Sequence, residues 1–194
     1  MITVCQYEAP SVRREEILRY AGGQGSDSSI DSLLQTCLEE AMPSLRYQVC
    51  YRLLDVTATE ETCDFGLFRV ASKSLAKNLN GCKQVILLAA TVGVGPDRFV
   101  SRYGKISPAK ALMHQAIGAE RIEALCDHFC KEYETKHHVH LRPRFSSGYG
   151  DLPLDAQKHI FAVLDPMRHI GLCLNDSLLM SPTKSVTAFV GIDA

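Results

Sequence analysis

The sequence predicts an α+β fold in which helices flank a mainly antiparallel twisted sheet and one long central helix spans about residues 108–135. Apolar and polar residues alternate over residues 47–53, which is typical of a strand. A continuous apolar run at residues 85–90 is typical of a buried central strand. Helix and strand patterns follow one another in blocks, with too few regular strand–helix–strand units for a doubly wound parallel sheet.

The N-terminal part, residues 1–45, is predicted to be helical. Its first helix pattern covers residues 12–20, and Asp27 or Ser28 is placed to cap a second helix. Residues 46–194 are predicted to hold the sheet, the long helix and a ligand loop. The two parts are expected to form a single unit over residues 1–194.

Residues 47–53 are expected to bury one face of their strand. An apolar stretch at residues 65–70 is predicted to be the antiparallel neighbour of that strand. Ser72 is then placed to cap a short helix that ends before the next buried strand.

A glycine-containing turn follows the apolar run. Gly93 and Gly95 resemble part of a dinucleotide loop, but the third glycine of the G-x-G-x-x-G pattern is absent. We therefore predict a tight strand-to-helix turn in which Asp97 caps the next helix. A nucleotide phosphate at this turn is the weaker alternative.

The long helix has a strong start signal in Ser107 and Pro108. Small and apolar residues recur along it at helical spacing, together with one carboxylate. This stripe consists of Leu112, Ala116, Ala119, Glu123, Cys126, Cys130 and Tyr133. Either Glu123 lies at the edge of the stripe and reaches water, or it pairs with a ligand ammonium or with Arg144.

The stretch from Arg144 to Asp151 is the predicted ligand loop. Arginine is suited to a ligand carboxylate because its guanidinium forms paired hydrogen bonds. Glycines allow a backbone to approach a ligand where a side chain would block it. Besides Arg144 and Glu123, the candidate ligand-binding residues are Ser146, Ser147, Gly148, Tyr149 and Gly150. Locally, a surface arginine, turn-forming serines and a tyrosine packed beneath its own turn explain the stretch equally well.

Beyond this loop, residues 153–164 are predicted to form a helix. Residues 171–179 and 185–192 are predicted to form two strands joined across residues 181–184.

Composition excludes several classes of function. The chain has 194 residues, 46% of them hydrophobic and 22% charged, with a net charge of −1. Scattered basic residues give no nucleic-acid footprint, and no apolar stretch approaches the length of a membrane span. The first residues lack the features of a signal peptide, so we expect a cytoplasmic protein whose eight cysteines are reduced.

A metal site is a further alternative. Cys126 and Cys130 lie one helical turn apart and precede His137, His138 and His140, but this spacing matches no standard zinc motif. We expect these two cysteines to be core thiols that bind no metal. No nucleophile elbow or P-loop is present in the sequence.

An ordered set of motifs resembles the activation domain of cobalamin-dependent methionine synthase in a compact, free-standing form. The resemblance covers roughly the last two-thirds of the chain, and residues 12–20 also resemble the opening helix of small members. The motifs lie at residues 89–93, 116–125, 144–149, 152–154 with Gln157, 170–171, 174–177 and 182–187.

The resemblance implies an S-adenosylmethionine-binding activation subunit that supports reductive remethylation of cob(II)alamin. The cobalamin would be carried by a partner, either a split methionine synthase or a related corrinoid methyltransferase, and a flavodoxin- or ferredoxin-like protein would donate the electron. Arg144 would bind the methionyl carboxylate and Glu123 would help to hold the ligand. Gly148 and Tyr149 would shape the pocket. Such a chain is an accessory component of methionine synthase activity and makes no methionine alone.

The chain departs from this family in two places, and the second departure motivates an alternative role. Full synthases carry Gly-Tyr-Pro-Ala-Cys-Pro where this chain has Gly-Tyr-Gly-Asp-Leu-Pro at residues 148–153, and the family's domain continues beyond the position of Ala194. The alternative is a non-catalytic module of the same fold that senses S-adenosylmethionine or caps a corrinoid protein. A partner, or a second copy in a homodimer, could complete the pocket.

Overall fold

The predicted α+β fold is confirmed by a computed structural model, which describes residues 1–22 and 27–193. Short 3-10 helices cover Met42–Ser44 and Leu154–Ala156. The α-helices are α1 Arg14–Tyr20, α2 Ser28–Ala41, α3 Lys73–Asn78, α4 Gly95–Tyr103, α5 Pro108–His137, α6 Gln157–Leu164 and α7 Pro166–Ile170. The strands are β1 Thr3–Tyr7, β2 Tyr47–Asp55, β3 Thr57–Ala58, β4 Thr62–Asp64, β5 Arg69–Ala71, β6 Gln84–Thr91, β7 His140–Leu141, β8 Cys173–Leu174, β9 Met180–Ser181 and β10 Ser185–Asp193.

A five-stranded antiparallel sheet forms the centre of the fold, in the order β1-β2-β6-β10-β7. Strand β6 is the middle strand, as its apolar run predicts. It pairs with β2 on one side, where Ala90 lies opposite Val49, and with β10 on the other, where Leu87 lies opposite Phe189.

The central sheet is covered on both faces. On one face α5 packs through Leu125 and Phe129 against Ile86, Leu88 and their neighbours. On the other face α3 and α6 pack against Leu87 and its neighbours. The prediction that β2 buries one face was therefore wrong: Cys50, on the opposite side from Val49, is also fully buried.

Helix starts follow the predicted signals. The Asp27 carboxylate accepts a hydrogen bond from the amide of Ser29 at 3.2 Å and caps α2. The hydroxyl of Ser72 accepts from the amide of Leu75 at 3.0 Å and caps α3. Helix α5 begins at Pro108 as predicted and has 30 residues, although the side chain of Ser107 makes no capping hydrogen bond.

One predicted strand pairing was wrong. Residues 65–70 do not pair with β2; the strand there, β5, pairs with β4 in a separate three-stranded sheet. The position beside β2 is taken by β1, which also shows that residues 1–45 are not wholly helical. Pairing between distant segments depends on tertiary packing, which a local pattern does not encode.

The C-terminal prediction was half correct. Strand β10 is present, but residues 171–179 form no single strand: β8 and β9 pair in a small hairpin instead. The Asn175 side chain stabilises this hairpin, since its Oδ1 accepts a hydrogen bond from the amide of Leu179 at 2.9 Å.

The glycine-containing turn joins β6 directly to α4, as predicted. A side chain at Gly95 would meet Ser44, so this glycine serves close packing. Asp97 does not cap α4, and its carboxylate instead accepts hydrogen bonds from the amide and hydroxyl of Thr183, with the amide at 2.9 Å.

The eight cysteines are free thiols, and most are core residues, as predicted. Within residues 1–22 and 27–193, no helix is long and apolar enough to span a membrane.

Candidate ligand-binding site

The candidate site is a cavity of about 670 Å³ between the loop after β7, the start of α6 and the edge of β10. Its volume falls in the usual range of small-molecule sites. It is lined by Glu123, Pro143, Arg144, Phe145, Ser146, Ser147, Tyr149, Leu154, Gln157, Met180, Ser185, Val186 and Thr187.

The loop before the cavity extends the sheet along β10. The amide of Arg142 donates to the carbonyl of Gly191 at 2.8 Å, and Phe145 and Phe189 exchange two backbone hydrogen bonds of 2.9 and 2.8 Å. Because successive side chains of extended backbone point to opposite faces, Phe145 packs against the core on the α6 side and Arg144 reaches α5.

Arg144 binds two carboxylates of α5. Its Nη2 lies 2.7 Å from Oε2 of Glu123, and its Nη1 lies 2.7 Å from Oδ1 of Asp127. The two acids are four residues apart and therefore share one face of the helix. The sequence left open whether Glu123 pairs with Arg144 and whether the two share a cavity; both are the case.

The pKa values of Arg144 and Asp127 are both shifted in the direction that favours their charged forms. Burial opposes the charge of Arg144, but the neighbouring groups, Asp127 and Glu123 among them, outweigh it and raise the pKa of the guanidinium above its ordinary value. Burial likewise opposes ionisation of Asp127, but hydrogen bonds and charge from Arg144 and Arg13 lower the pKa of that carboxyl.

The ion pairs continue away from the cavity to the N-terminal segment. Nη1 of Arg13 lies 2.8 Å from the second oxygen of Asp127, and Nε of Arg13 lies 3.0 Å from Glu120. Glu120 in turn binds Arg121, with 2.6 Å between Oε2 and Nε, and both side chains are fully buried. Local sequence patterns do not predict this buried pair, because Glu123 is the one charged residue on the predicted apolar stripe of the helix.

A second wall of the cavity, which includes Ser147 and Gln157, is polar and carries no charge. Ser147 is 8% exposed and Gln157 is 4% exposed. The Ser147 hydroxyl and Oε1 of Gln157 have no hydrogen-bond partner among the described residues. Buried polar atoms are nearly always paired in folded proteins, so these two groups are available to a ligand that enters the cavity.

The predicted ligand loop divides into two parts. Ser146, Ser147 and Tyr149 line the cavity, and Tyr149 is 69% exposed rather than packed beneath its turn. Gly148 and Gly150 do not line the cavity.

Gly150 serves close packing of the loop onto α3. It has a φ of 56°, and a side chain there would lie 2.7 Å from the hydroxyl of Ser74. Next to it, the Asp151 carboxylate accepts hydrogen bonds from the hydroxyl of Ser72 at 2.6 Å and the amide of Lys73 at 2.7 Å. These bonds, together with one from the Ser74 amide, lower the pKa of the Asp151 carboxyl. The loop is thus held at both ends: Arg144 binds carboxylates of α5, and Asp151 binds the start of α3.

Several cavity residues were not among the predicted site residues. Gln157, Ser185, Val186 and Thr187 line the cavity, and all four belong to the motifs that carried the family resemblance. Their local patterns are those of an ordinary helix start and an ordinary strand, so their residue types alone do not indicate a ligand-binding role.

The cysteines near the site are core thiols. Cys126 is fully buried, and burial raises the pKa of its thiol. Among the described residues, no group of three or more His, Cys, Asp or Glu side chains is arranged to hold a metal ion.

The fold is similar to that of a solved structure. A crystal structure of the MetH reactivation domain bound to AdoHcy superimposes with a TM-score of 0.70 over 98% of this chain and 78% of that chain, at 13% sequence identity. At this identity the likeness shows a shared fold. No protein-family model and no curated protein matches the sequence.

Proposed function

We propose that this cavity binds S-adenosylmethionine. The observation that carries the proposal is the ion pair of Arg144 and Glu123 in the wall of a cavity of about 670 Å³. A guanidinium has five N–H donors, so its bonds to Glu123 and Asp127 leave others free for a ligand carboxylate. Glu123 uses one carboxylate oxygen for Arg144, and its other oxygen can accept from a ligand ammonium. Such a pair suits the zwitterionic end of an amino acid.

The fold supports the same ligand class. The similar structure is a reactivation domain bound to AdoHcy, which is S-adenosylmethionine without its methyl group. We propose that this chain acts as a reactivation-type module. When bound, S-adenosylmethionine would supply a methyl group already activated as a sulfonium, and a reduced corrinoid on a partner protein would supply the nucleophile. The residues of this chain would bind and orient the ligand, which requires no catalytic acid or base.

Calorimetric titration of the purified protein with S-adenosylmethionine tests the binding. We expect Arg144→Ala to weaken binding about 10- to 100-fold, because a charge-assisted hydrogen bond is lost. Arg142→Ala is the matched control, since Arg142 pairs with Asp193 and does not line the cavity. Absence of binding by the wild-type protein, alone and with a corrinoid protein present, would refute the proposal.

A second experiment addresses the role. A corrinoid protein in the cob(II) state is mixed with this chain, a flavodoxin- or ferredoxin-like donor and S-adenosylmethionine labelled in its methyl group. Transfer of label to the corrinoid protein supports reactivation. Ligand binding and docking without transfer would instead support the alternative, a module that senses S-adenosylmethionine or caps the corrinoid protein.

A further inference from the structure

The cavity has two chemically different ends. Among its lining residues, Glu123 and Arg144 alone carry a charge at neutral pH, and Arg144 binds Glu123 on α5. Helix α5 covers one face of the central sheet and α6, which carries Gln157, covers the other. The cavity therefore extends across the sheet edge from a charged wall to a neutral polar wall.

Strand β10 shows the same division. Phe189 packs into the core on the α6 side, and Ala188 packs into the core on the α5 side. By the alternation of side chains along a strand, Thr187 faces the α6 side with Phe189. Val186 faces the α5 side, where it packs against that core. The neutral wall thus combines the side chains of Ser147, Gln157 and Thr187.

The neutral wall holds the two unpartnered groups. The Ser147 hydroxyl and the Gln157 oxygen are shielded from solvent and lack a protein partner among the described residues. Both side chains are more than nine-tenths buried. Leaving such groups unpaired destabilises a fold, so their retention beside a cavity points to a ligand that pairs with them.

We propose that Ser147 and Gln157 bind the nucleoside end of the ligand by accepting hydrogen bonds from its neutral O–H or N–H groups. This inference rests on the proposed function in taking S-adenosylmethionine as the physiological ligand. The charged wall orients the amino-acid end, and the neutral wall selects a nucleoside over a purely aliphatic sulfonium. The donor group is either a ribose hydroxyl or the exocyclic amine of adenine.

Fragments of the ligand test each wall separately. Methylthioadenosine carries the nucleoside without the amino-acid end, and S-methylmethionine carries the amino-acid sulfonium without the nucleoside. We expect Gln157→Leu to weaken binding of methylthioadenosine about tenfold and to leave S-methylmethionine unchanged. Ser147→Ala is a second variant with the same expected pattern. Gln115→Leu, at an exposed glutamine of α5, is the control.

Stability separates a binding role from a structural one. If Gln157 is kept for a ligand, its replacement by leucine removes an unpaired buried oxygen, and the melting temperature of the ligand-free protein rises by about 2 to 6 °C. A fall in melting temperature with unchanged binding of methylthioadenosine would show a structural role and overturn the inference.

Analogues identify the donor. Methylthioinosine lacks the exocyclic amine, and a 2′- or 3′-deoxy derivative lacks one ribose hydroxyl. The analogue without the contacted group binds wild-type protein and Gln157→Leu equally well. If both variants bind methylthioadenosine as tightly as the wild type does, or if the wild type binds no nucleoside, the inference fails. If the wild type binds methylthioadenosine through Gln157 but does not bind S-adenosylmethionine, the inference stands and the proposed function fails.

Discussion

Asp127 forms an ion pair with Arg144 at the edge of the candidate cavity and so uses part of the hydrogen-bonding capacity of the guanidinium. The distance between Oδ1 of Asp127 and Nη1 of Arg144 is 2.7 Å, and the Asp127 side chain is 49% exposed whereas that of Arg144 is 22% exposed. The carboxylate thus reaches the guanidinium from the solvent side. Asp127 also binds Arg13 at 2.8 Å, so it has a second cation with which it can remain paired.

Asp127→Asn is expected to tighten binding of S-adenosylmethionine about two- to fivefold. Removing this charge frees N–H donors of Arg144 and removes a repulsion toward a ligand carboxylate, and exposed charge pairs have effects of this size. Titration calorimetry at low and at physiological salt measures the change, which should shrink as salt rises.

Glu132→Gln is the charge-matched control, because Glu132 is an exposed acid of the same helix outside the cavity. Its affinity should equal that of the wild type. Weaker binding by Asp127→Asn would contradict the placement of the ligand carboxylate at Arg144.

Asp151→Asn is expected to loosen the ligand loop. Asp151 accepts bonds from the hydroxyl of Ser72 and the amides of Lys73 and Ser74, so the variant should speed hydrogen exchange over residues 145–151. Affinity for S-adenosylmethionine should fall about threefold, because part of the binding free energy then orders the loop. The lowered pKa of Asp151 keeps the carboxylate ionised below its ordinary pKa of 3.8, so wild-type exchange protection should persist from pH 7 down to about pH 3.

Asp155→Asn separates loop anchoring from a general charge effect. Asp155 is exposed, lies four residues further along and does not line the cavity. Equal exchange rates in Asp151→Asn and the wild type would show that the carboxylate does not hold the loop.

The sequence predicted elements whose signal is local. The apolar run of β6 predicts a strand that is buried on both faces. The proline at the start of α5 predicts a helix start, because its ring presets the backbone angle φ. The contact of Glu123 with Arg144 was among the expected outcomes, because a carboxylate on an otherwise apolar stripe needs a partner.

What the sequence missed depends on distant segments. Strand β1 pairs with β2 across forty or more positions of the chain, and the burial of Glu120 depends on Arg13, which is 107 positions earlier. Local patterns assign a Glu-Arg dipeptide in a long helix to the solvent face. Only the fold brings the N-terminal segment over that position and makes burial of both charges feasible.

Glu40 is expected to make stability depend on acid pH. Its carboxylate accepts bonds from Lys110 at 2.8 Å, Tyr103 at 2.9 Å and His114 at 3.1 Å. The ion pair with Lys110, followed by the bonds from Tyr103 and His114, lowers the pKa of Glu40 from 4.5 to about 2. The folded state therefore holds the proton less tightly than the unfolded state. The stabilisation is complete above pH 4.5 and is lost as the pH falls toward 2.

Urea unfolding of Glu40→Gln measures this contribution. The variant should lose about 1 to 2 kcal/mol at pH 7, a modest figure because the side chain is partly solvated. Its free energy of unfolding should change less between pH 4.5 and pH 2 than that of the wild type. Glu39→Gln, at the exposed neighbouring acid, should keep the wild-type pH dependence. Parallel pH curves for Glu40→Gln and the wild type would contradict this assignment.

Arg121→Met is expected to destabilise the protein by about 3 to 5 kcal/mol, because it leaves the fully buried carboxylate of Glu120 with a single cationic partner, Arg13. Arg121 also donates to the carbonyls of Pro10 at 2.6 Å and Ser11 at 2.7 Å, so the N-terminal segment loses these two hydrogen bonds to α5 and keeps the ion pairs of Arg13.

Urea unfolding gives the loss of stability, and hydrogen exchange over residues 8–13 reports how far the N-terminal segment is loosened. Arg14→Met is the control, since Arg14 is exposed and lies 4.0 Å from Asp31; it should change stability by less than about 0.5 kcal/mol. Adding Glu120→Gln to Arg121→Met should recover part of the loss, because it removes a buried charge that Arg13 alone compensates. A double variant as unstable as the sum of the two single variants would show that the two side chains act independently rather than as a buried pair.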